Sequence, residues 1–472
     1  MDVSRRWSTQ IGAEKNEKAA EQVELAPGLI VKVASLAGLA ILKLIAWSDR
    51  DSATPKDTHD LYQLMTQYAD GGNIDRLYEA EFATLEVAEY DPEIAGAIIS
   101  ICVTETAQNP FMNQLNSPTP KFAFIDWMRG IAAMLVIYFH FDLHIIHRYP
   151  DLPIPKGTFT DYFVLGSYFD LGKYGVALFF LVSGFLIPAT LAAPGATLRS
   201  YTIHRFFRLY PGYWVSLLAF VVVQFVFNGG MSVEWRDVAI NATMLHKFVG
   251  IPDVVGTYWT LQIELIFYAL CALLFIAGRL HRRIAVVVTA LIGGLVCAFI
   301  RYRTATPLPI ALFIGLALMF VGDGLRGLAE RRASIKQVAV LAGAVAIGLI
   351  PIALLAYKHD GIRYVVTYWA ALGTFMTAFA VRERIEQAVH ANRIGRLLAD
   401  YSYGAYLLHG SVGAALGGVA YAATGSAGWA ALAMFGSTYL LAYAVFHCIE
   451  QPCIQIGRSI ALRRQTQTAV QM

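Results

Sequence analysis

Two residues on one stretch of chain, Arg129 and His140, define the chemistry to look for. They are eleven positions apart. On a helix turning 100° per residue they fall on one face, about 16 Å apart along the axis. A guanidinium is a permanent cation that can anchor an anion, and a neutral imidazole is a base whose pKa lies near working pH. The face thus offers an anion anchor and, farther along, a proton acceptor. That suits a reaction with an anionic donor at one end and an acceptor at the other. A plainer reading of the same residues pairs Arg129 with Asp126 at i,i+3 and makes His140 a packed polar residue. His140, His144 and His147 also follow metal-ligand spacing, i, i+4, i+7. One helix rarely closes a metal site unaided, so no metal is expected.

Other residue types join them along the chain. The run from Gly172 to Ile187 carries Ser183 and Gly184. Small residues there let backbones approach closely or leave room for a ligand chain. Ser183 lacks any visible base, so packing is expected rather than nucleophilic attack. In His204-Arg205-Phe-Phe-Arg208-Leu-Tyr-Pro, read as an inner loop, Arg205 and Arg208 can present two guanidinium groups to one polyanion such as a phosphate. They could equally be ordinary flanking charge. Glu264, in Trp259-Thr-Leu-Gln-Ile-Glu264, lies inside an apolar block and needs a partner. Arg129 and His140 are the candidates, and beside His140 the carboxylate would orient the imidazole. His409 ends Tyr401-Ser-Tyr-Gly-Ala-Tyr-Leu-Leu-His409 and reads as a structural hydrogen-bonder, and Glu450-Gln-Pro452 sits at a helix end. Cys102, Cys271, Cys297, Cys448 and Cys453 form an odd set without paired metal spacing and read as small apolar residues.

The elements that must hold these residues are apolar. Of 472 residues 57% are hydrophobic and 15% charged, with mean hydropathy +0.51. Soluble proteins carry about 25% charged residues. The balance excludes disorder, a basic nucleic-acid binder and a disulfide scaffold, and leaves a polytopic membrane protein. The net charge of +3 conceals a split: residues 1–115 hold 9 basic and 18 acidic side chains, and residues 116–472 hold 28 and 16. Ten apolar blocks follow one another, roughly 122–147, 172–192, 209–228, 256–277, 284–300, 306–325, 336–357, 363–381, 398–422 and 427–448. The fold class expected is therefore all-α, a bundle of ten transmembrane helices. A small, α-rich soluble piece precedes it.

That first piece has no apolar core following a basic start, so it is not read as a signal peptide. Its apolar run, Leu29 to Trp47, is broken by Lys32 and Lys43 and is too short to span. It reads as a core strand and helix, followed by acidic amphipathic helices to about Glu105, with Asn109 to Pro120 as a linker. An even number of spans puts both ends on one side. Placing the start inside puts eighteen Lys and Arg on the inner flanks against nine outside, so both termini are expected in the cytoplasm. No internal repeat between the halves is evident, which disfavours a transporter of the inverted-repeat kind.

Taken in order, these motifs resemble the membrane-bound acyltransferase-3 family, which O-acylates bacterial glycans and related acceptors. Ile125-Asp126-Trp-Met-Arg129-Gly130…His140, Phe179-Phe-Leu-Val-Ser183-Gly184-Phe185, Arg205-Phe-Phe-Arg208-Leu-Tyr-Pro, Trp259-Thr-Leu-Gln-Ile-Glu264, Ser402-Tyr-Gly-Ala-Tyr-Leu-Leu-His409 and Glu450-Gln-Pro452 carry the likeness, over about Pro120 to Gly457. It implies a ten-span acyltransferase domain at 122–457 with a cytoplasmic tail at 458–472, in a bacterial inner membrane. It further implies an acyl-CoA donor, acetyl-CoA first of all, entering from the cytoplasm, with no permanently bound cofactor. Arg205, Arg208, Ser183 and Gly184 would bind the donor, Arg129 would lie deeper, and His140 would be catalytic with Glu264 and Arg129. The acceptor would be a glycan or lipid-linked sugar, with the bilayer as surroundings and no nucleic acid as partner. A transporter of an anionic or acylated solute is the alternative reading of the same Arg/His/Glu set.

The first piece resembles something else. Leu39-Ala-Ile-Leu-Lys43…Asp49-Arg50…Pro55-Lys56-Asp57-Thr-His-Asp60-Leu-Tyr-Gln-Leu and Tyr68-Ala-Asp-Gly-Gly-Asn are similar to the C-terminal part of nucleotidyltransferase-like proteins of toxin–antitoxin systems. The Gly-Ser and paired-Asp motifs of such enzymes are missing here. The piece is therefore expected to be a catalytically inactive remnant or a docking segment.

Overall fold

A computed structural model describes residues 20–26, 29–34, 122–146, 168–193, 196–389 and 393–470. The chain divides into two units, Met1–Lys121 and Phe122–Met472. In the first, β1 (Ala20–Ala26) and β2 (Leu29–Ala34) form an antiparallel hairpin with Val23 opposite Val31. β2 is the strand expected at the start of the apolar run. β1 is a correction to the all-α expectation: the polar start of the chain, with Glu21, Gln22 and Glu24, runs into a strand that pairs with β2. The helices expected up to Glu105 lie outside the described residues.

Among the described residues of the second unit, the regular elements are all helices. Its elements are α1 (Ala123–Phe141), α2 (Leu171–Ala192), α3 (Leu198–Asn228), α4 (Trp235–Asn241), α5 (Trp259–Ile276), α6 (Arg283–Thr304), α7 (Ile310–Ala329), α8 (Ile335–Tyr357), α9 (Gly361–Ala380), α10 (Arg382–Val389), α11 (Arg393–Leu408), α12 (Ala414–Thr424), α13 (Ala427–Val445) and α14 (Gln451–Val470). In hydrocarbon every backbone polar group must bond within its own segment, which leaves helices as the solution for runs this apolar. The ends are written in the sequence. Asp170 and Thr197 cap α2 and α3 through their side chains, Ser334 and Gln337 make a capping box at α8, and Gly229 closes α3 in the left-handed conformation.

Among the described residues, eight stretches are long and apolar enough to cross a membrane. One of them, Ile335–Ala380, comprises two of the ten apolar blocks. Trp369 Nε1 donates to the carbonyl of Ala346 at 2.9 Å, a contact that a straight helix 23 residues long cannot make, so α8 and α9 form a hairpin. The block at 398–422 is not among the eight; in it a π-helical turn, His409–Gly413, stands between α11 and α12. Two more π turns, Asp142–Ile146 after α1 and Phe446–Glu450 after α13, interrupt other helices. All three adjoin candidate site residues: His140, His409 and Glu450. Such turns often mark functional positions.

The third helix begins eleven residues before its expected start. Arg205 and Arg208 therefore lie on α3, not in an inner loop. The charged run Arg199 to Arg208 bounds the expected apolar block at 209, whereas the helix itself continues through these residues. At the centre α2 and α7 pack along most of their lengths. A Cβ on Gly184 would lie 1.8 Å from the Met319 carbonyl oxygen, and one on Gly322 would lie 2.2 Å from that of Leu181. The glycines permit backbone-to-backbone contact between these two helices. A buried aromatic cluster of Phe124, Phe185, Phe375 and Phe379 joins α1, α2 and α9 around one end of this pair.

Candidate active site

A polar concavity lies among α1, α2, α3, α5 and α11. It is an open cavity of about 860 Å³ bounded by Arg129, Ser183, Arg205, Arg208, Glu264 and Tyr268, with an apolar wall of Val176, Phe179, Phe180 and Leu186. Five expected site residues from four separate helices thus meet in one place. Arg205 and Arg208 occupy one face of α3 because three residues make nearly a full turn. Arg205 Nη2 donates to Thr190 Oγ1 at 2.9 Å, and its guanidinium lies 5.4 Å from the ring centres of Tyr201 and Tyr268. Arg129 is within electrostatic reach of Arg208, Asp126, Glu450 and Glu264. No ion pair holds it among the described residues, so its charge is available to the cavity.

Glu264 Oε1 accepts a hydrogen bond of 2.6 Å from the Tyr268 hydroxyl, one turn along α5. The expectation that Glu264 orients His140 is not met, because the two line different cavities. Glu450, read as a marginal helix-end residue, is instead buried and pairs with Arg208 Nη1 at 3.4 Å. Gly184 needs a further correction. Its Cα faces the Met319 backbone on α7 and not the cavity, which its neighbour Ser183 lines. Replacing Gly184 by Ala must push two helices apart and is expected to cost about 1–3 kcal/mol or more. Gly373→Ala adds a methyl where nothing lies within 4 Å. Thermal unfolding of the two purified variants checks this: Gly184→Ala should melt well below Gly373→Ala, and equal melting would remove the tight contact from the account.

His140 lines a second cavity of about 430 Å³ with Phe139, Asp170, Lys173, Thr257, Trp259 and Tyr406. Proton bookkeeping assigns its ring. Nδ1 lies 2.9 Å from the Val136 carbonyl and 3.2 Å from His409 Nε2, while His409 Nδ1 lies 3.2 Å from the Ala405 carbonyl. Carbonyls only accept, so each Nδ1 carries the proton. His140 Nδ1–H is then shared between Val136 and His409, and the lone pair sits on His140 Nε2. His144 stacks on His140 with ring centres 5.9 Å apart, and His147 lies outside the described residues. Beside them Asp170 caps α2, accepts from Lys173 Nζ at 3.2 Å and lies 3.6 Å from Arg363 Nη2.

Several of these residues escaped the sequence reading. Tyr268 stands four places after Glu264 and Tyr406 three before His409, spacings that share a helix face. Asp170 carried an ordinary N-cap signal before Leu171. Nothing in one sequence connects Glu450 with Arg208, 242 positions away.

Residues 11–114 match the family of the nucleotidyl transferase AbiEii toxin, a type IV toxin–antitoxin system. Nodulation protein 10 of Rhizobium leguminosarum bv. viciae is 29% identical over 136 residues, which are 25% of this chain and 36% of that protein. The chain thus spans about a third of the length of the curated relative it matches. No solved structure matches. Residues 122–447, most of the chain and all the helices that line both cavities, match the acyltransferase domain of the acyltransferase-3 family, and the chain belongs to that family.

Proposed function

We propose that this protein is an integral membrane O-acyltransferase that moves an acyl group, acetyl first of all, from acyl-CoA to a hydroxyl of a surface glycan or lipid-linked sugar. One observation carries the reading: an arginine-lined cavity and a histidine-lined cavity lie back to back and share Val176 and Tyr406 in their walls. Ten crossings, counting the α8–α9 hairpin as two and the broken α11–α12 as one, put both termini in the cytoplasm of a bacterial inner membrane. The arginine cavity then opens inward, where acyl-CoA is found, and His140 lies toward the outer side.

Arg205 and Arg208 hold the phosphates of the donor, and Arg129 neutralises charge deeper in the cavity. The thioester reaches toward His140. His140 Nε2 takes the proton of the acceptor hydroxyl as its oxygen bonds to the acyl carbon. The C–S bond breaks, and the imidazolium returns that proton to the departing thiolate, so CoA leaves as the free thiol and the acceptor as its ester. The bond from Nδ1 to the Val136 carbonyl and His409 fixes the tautomer that makes Nε2 the base. The N-terminal unit is read as a cytoplasmic remnant or docking piece with no part in this chemistry.

Purified protein in lipid discs, given acetyl-CoA and the surface glycan fraction, should release free thiol and ester-linked acetyl in equal amounts. Movement of label across vesicles with the thioester intact would sink the proposal and favour transport. Within it, Arg205→Ala removes a charge-assisted contact worth about 1.5–3 kcal/mol. The KM for acyl-CoA should rise at least about tenfold with kcat little changed, as for a contact made equally in ground and transition states. Steady-state kinetics check this.

A further inference from the structure

The two cavities share lining residues. Val176 on α2 and Tyr406 on α11 are the residues that border both spaces. Both are buried. Tyr406 is fixed at each end of its side chain. Thr260 Oγ1 donates to the Thr257 carbonyl at 3.0 Å, so the Tyr406 hydroxyl is the donor in its 2.6 Å bond to Thr260 Oγ1, with the Thr257 carbonyl 3.3 Å away. Its ring meets Phe179 edge-on at 5.4 Å on one side and lies 5.7 Å from the His409 ring on the other. Packed between an apolar lining residue of the arginine cavity and the partner of His140, the ring cannot swing aside without losing these contacts.

An acyl group bound to CoA in the arginine cavity has to bring its carbonyl carbon past this wall to meet an acceptor activated at His140. The carbons beyond the carbonyl must then fit in what room Val176 and Tyr406 leave. We infer that Val176 and Tyr406 form a partition that selects short acyl chains, with Val176 limiting the width of the passage and the Thr260-anchored Tyr406 ring limiting its depth. The inference rests on the acyltransferase reading and names the donor class within it: acetyl and propanoyl thioesters pass, and longer chains do not. Neither residue exchanges a proton with the substrates. They are specificity residues, acting by volume.

The test compares acetyl-, butanoyl- and hexanoyl-CoA as donors for the full-length protein and two variants. Val176→Ala removes two methyl groups from the partition and keeps helical propensity. A methylene's worth of room in such a passage changes selectivity by about 10- to 200-fold. The butanoyl-to-acetyl ratio of kcat/KM should therefore rise at least about tenfold in Val176→Ala. Tyr406→Phe keeps the ring but frees it from Thr260, and should relax the same ratio by a smaller factor with acetyl transfer retained. The amount of folded protein, read by size-exclusion elution, and the acetyl rate establish that each variant is intact. Wild-type acetyl transfer with an unchanged chain-length profile in Val176→Ala would overturn the partition and leave the enzyme reading standing. No thioester cleavage by wild type with any of the three donors would overturn both.

Discussion

His140→Ala is expected to lower acyl transfer about 10²- to 10⁴-fold with the protein still folded. The size follows from what the residue alone supplies. Asp170, which lines the same cavity, is engaged with Lys173 and Arg363, and Glu264 is engaged with Tyr268 in the other cavity. His409 does not line that cavity, so its Nε2 stands behind the place where His140 meets the acceptor. Folding should survive because the ring borders a cavity and is not packed on all sides. Its loss leaves His409 Nε2 as an acceptor that water entering that cavity can satisfy. Donor binding, on the arginine side, should be unaffected, so the KM for acyl-CoA should stay within about twofold while kcat falls. Acyl incorporation into surface glycan, compared at equal expression with wild type, is the measurement. Undiminished incorporation would remove His140 from the chemistry and with it the proton path argued above.

The Arg129 to His140 spacing was legible in sequence because a single helix converts residue number into angle and height. Glu264 was legible as a residue expensive to place in hydrocarbon, Arg205 and Arg208 as a guanidinium pair expected in an inner loop, and Ser183 as a small residue within a span. What one sequence could not supply was which of them meet. Glu264 had two candidate partners by charge and took neither in a direct contact, bonding instead to Tyr268 one turn away. His409, whose motif suggested no more than a structural hydrogen-bonder, is the side chain that holds His140. Gly184 and Ser183 are adjacent, yet they point to opposite sides of α2, one to the α7 backbone and the other to the cavity. Helix rotation about its own axis decides such outcomes, and α2 is apolar nearly all round, so hydropathy leaves that rotation open.

The ion pair of Arg208 with Glu450 separates stability from donor binding. Glu450 is 1% exposed at the end of a π turn, whereas Arg208 is 28% exposed and reaches the cavity. Gly212 and Gly404 leave the room in which the carboxylate sits: a Cβ on either would lie 3.4 Å and 3.3 Å from Glu450 Oε1. Removing the two partners should therefore have unequal effects. Arg208→Ala strands a buried carboxylate and should destabilise the protein by at most about 3–5 kcal/mol, reduced to the extent that water screens the exposed arginine. Glu450→Gln leaves an arginine that water can reach, so its stability cost should be smaller. The double variant, Arg208→Ala with Glu450→Gln, removes the stranded charge and should melt above Arg208→Ala alone, a coupling that a double-mutant cycle measures directly. Donor binding should not follow this recovery. Both variants lacking Arg208 should show the raised KM for acyl-CoA, because the phosphate contact is gone whether or not the carboxylate is present. A double variant no more stable than Arg208→Ala would mean that the pair contributes geometry and not charge. A double variant with wild-type KM would mean that Arg208 serves only as the counterion of Glu450.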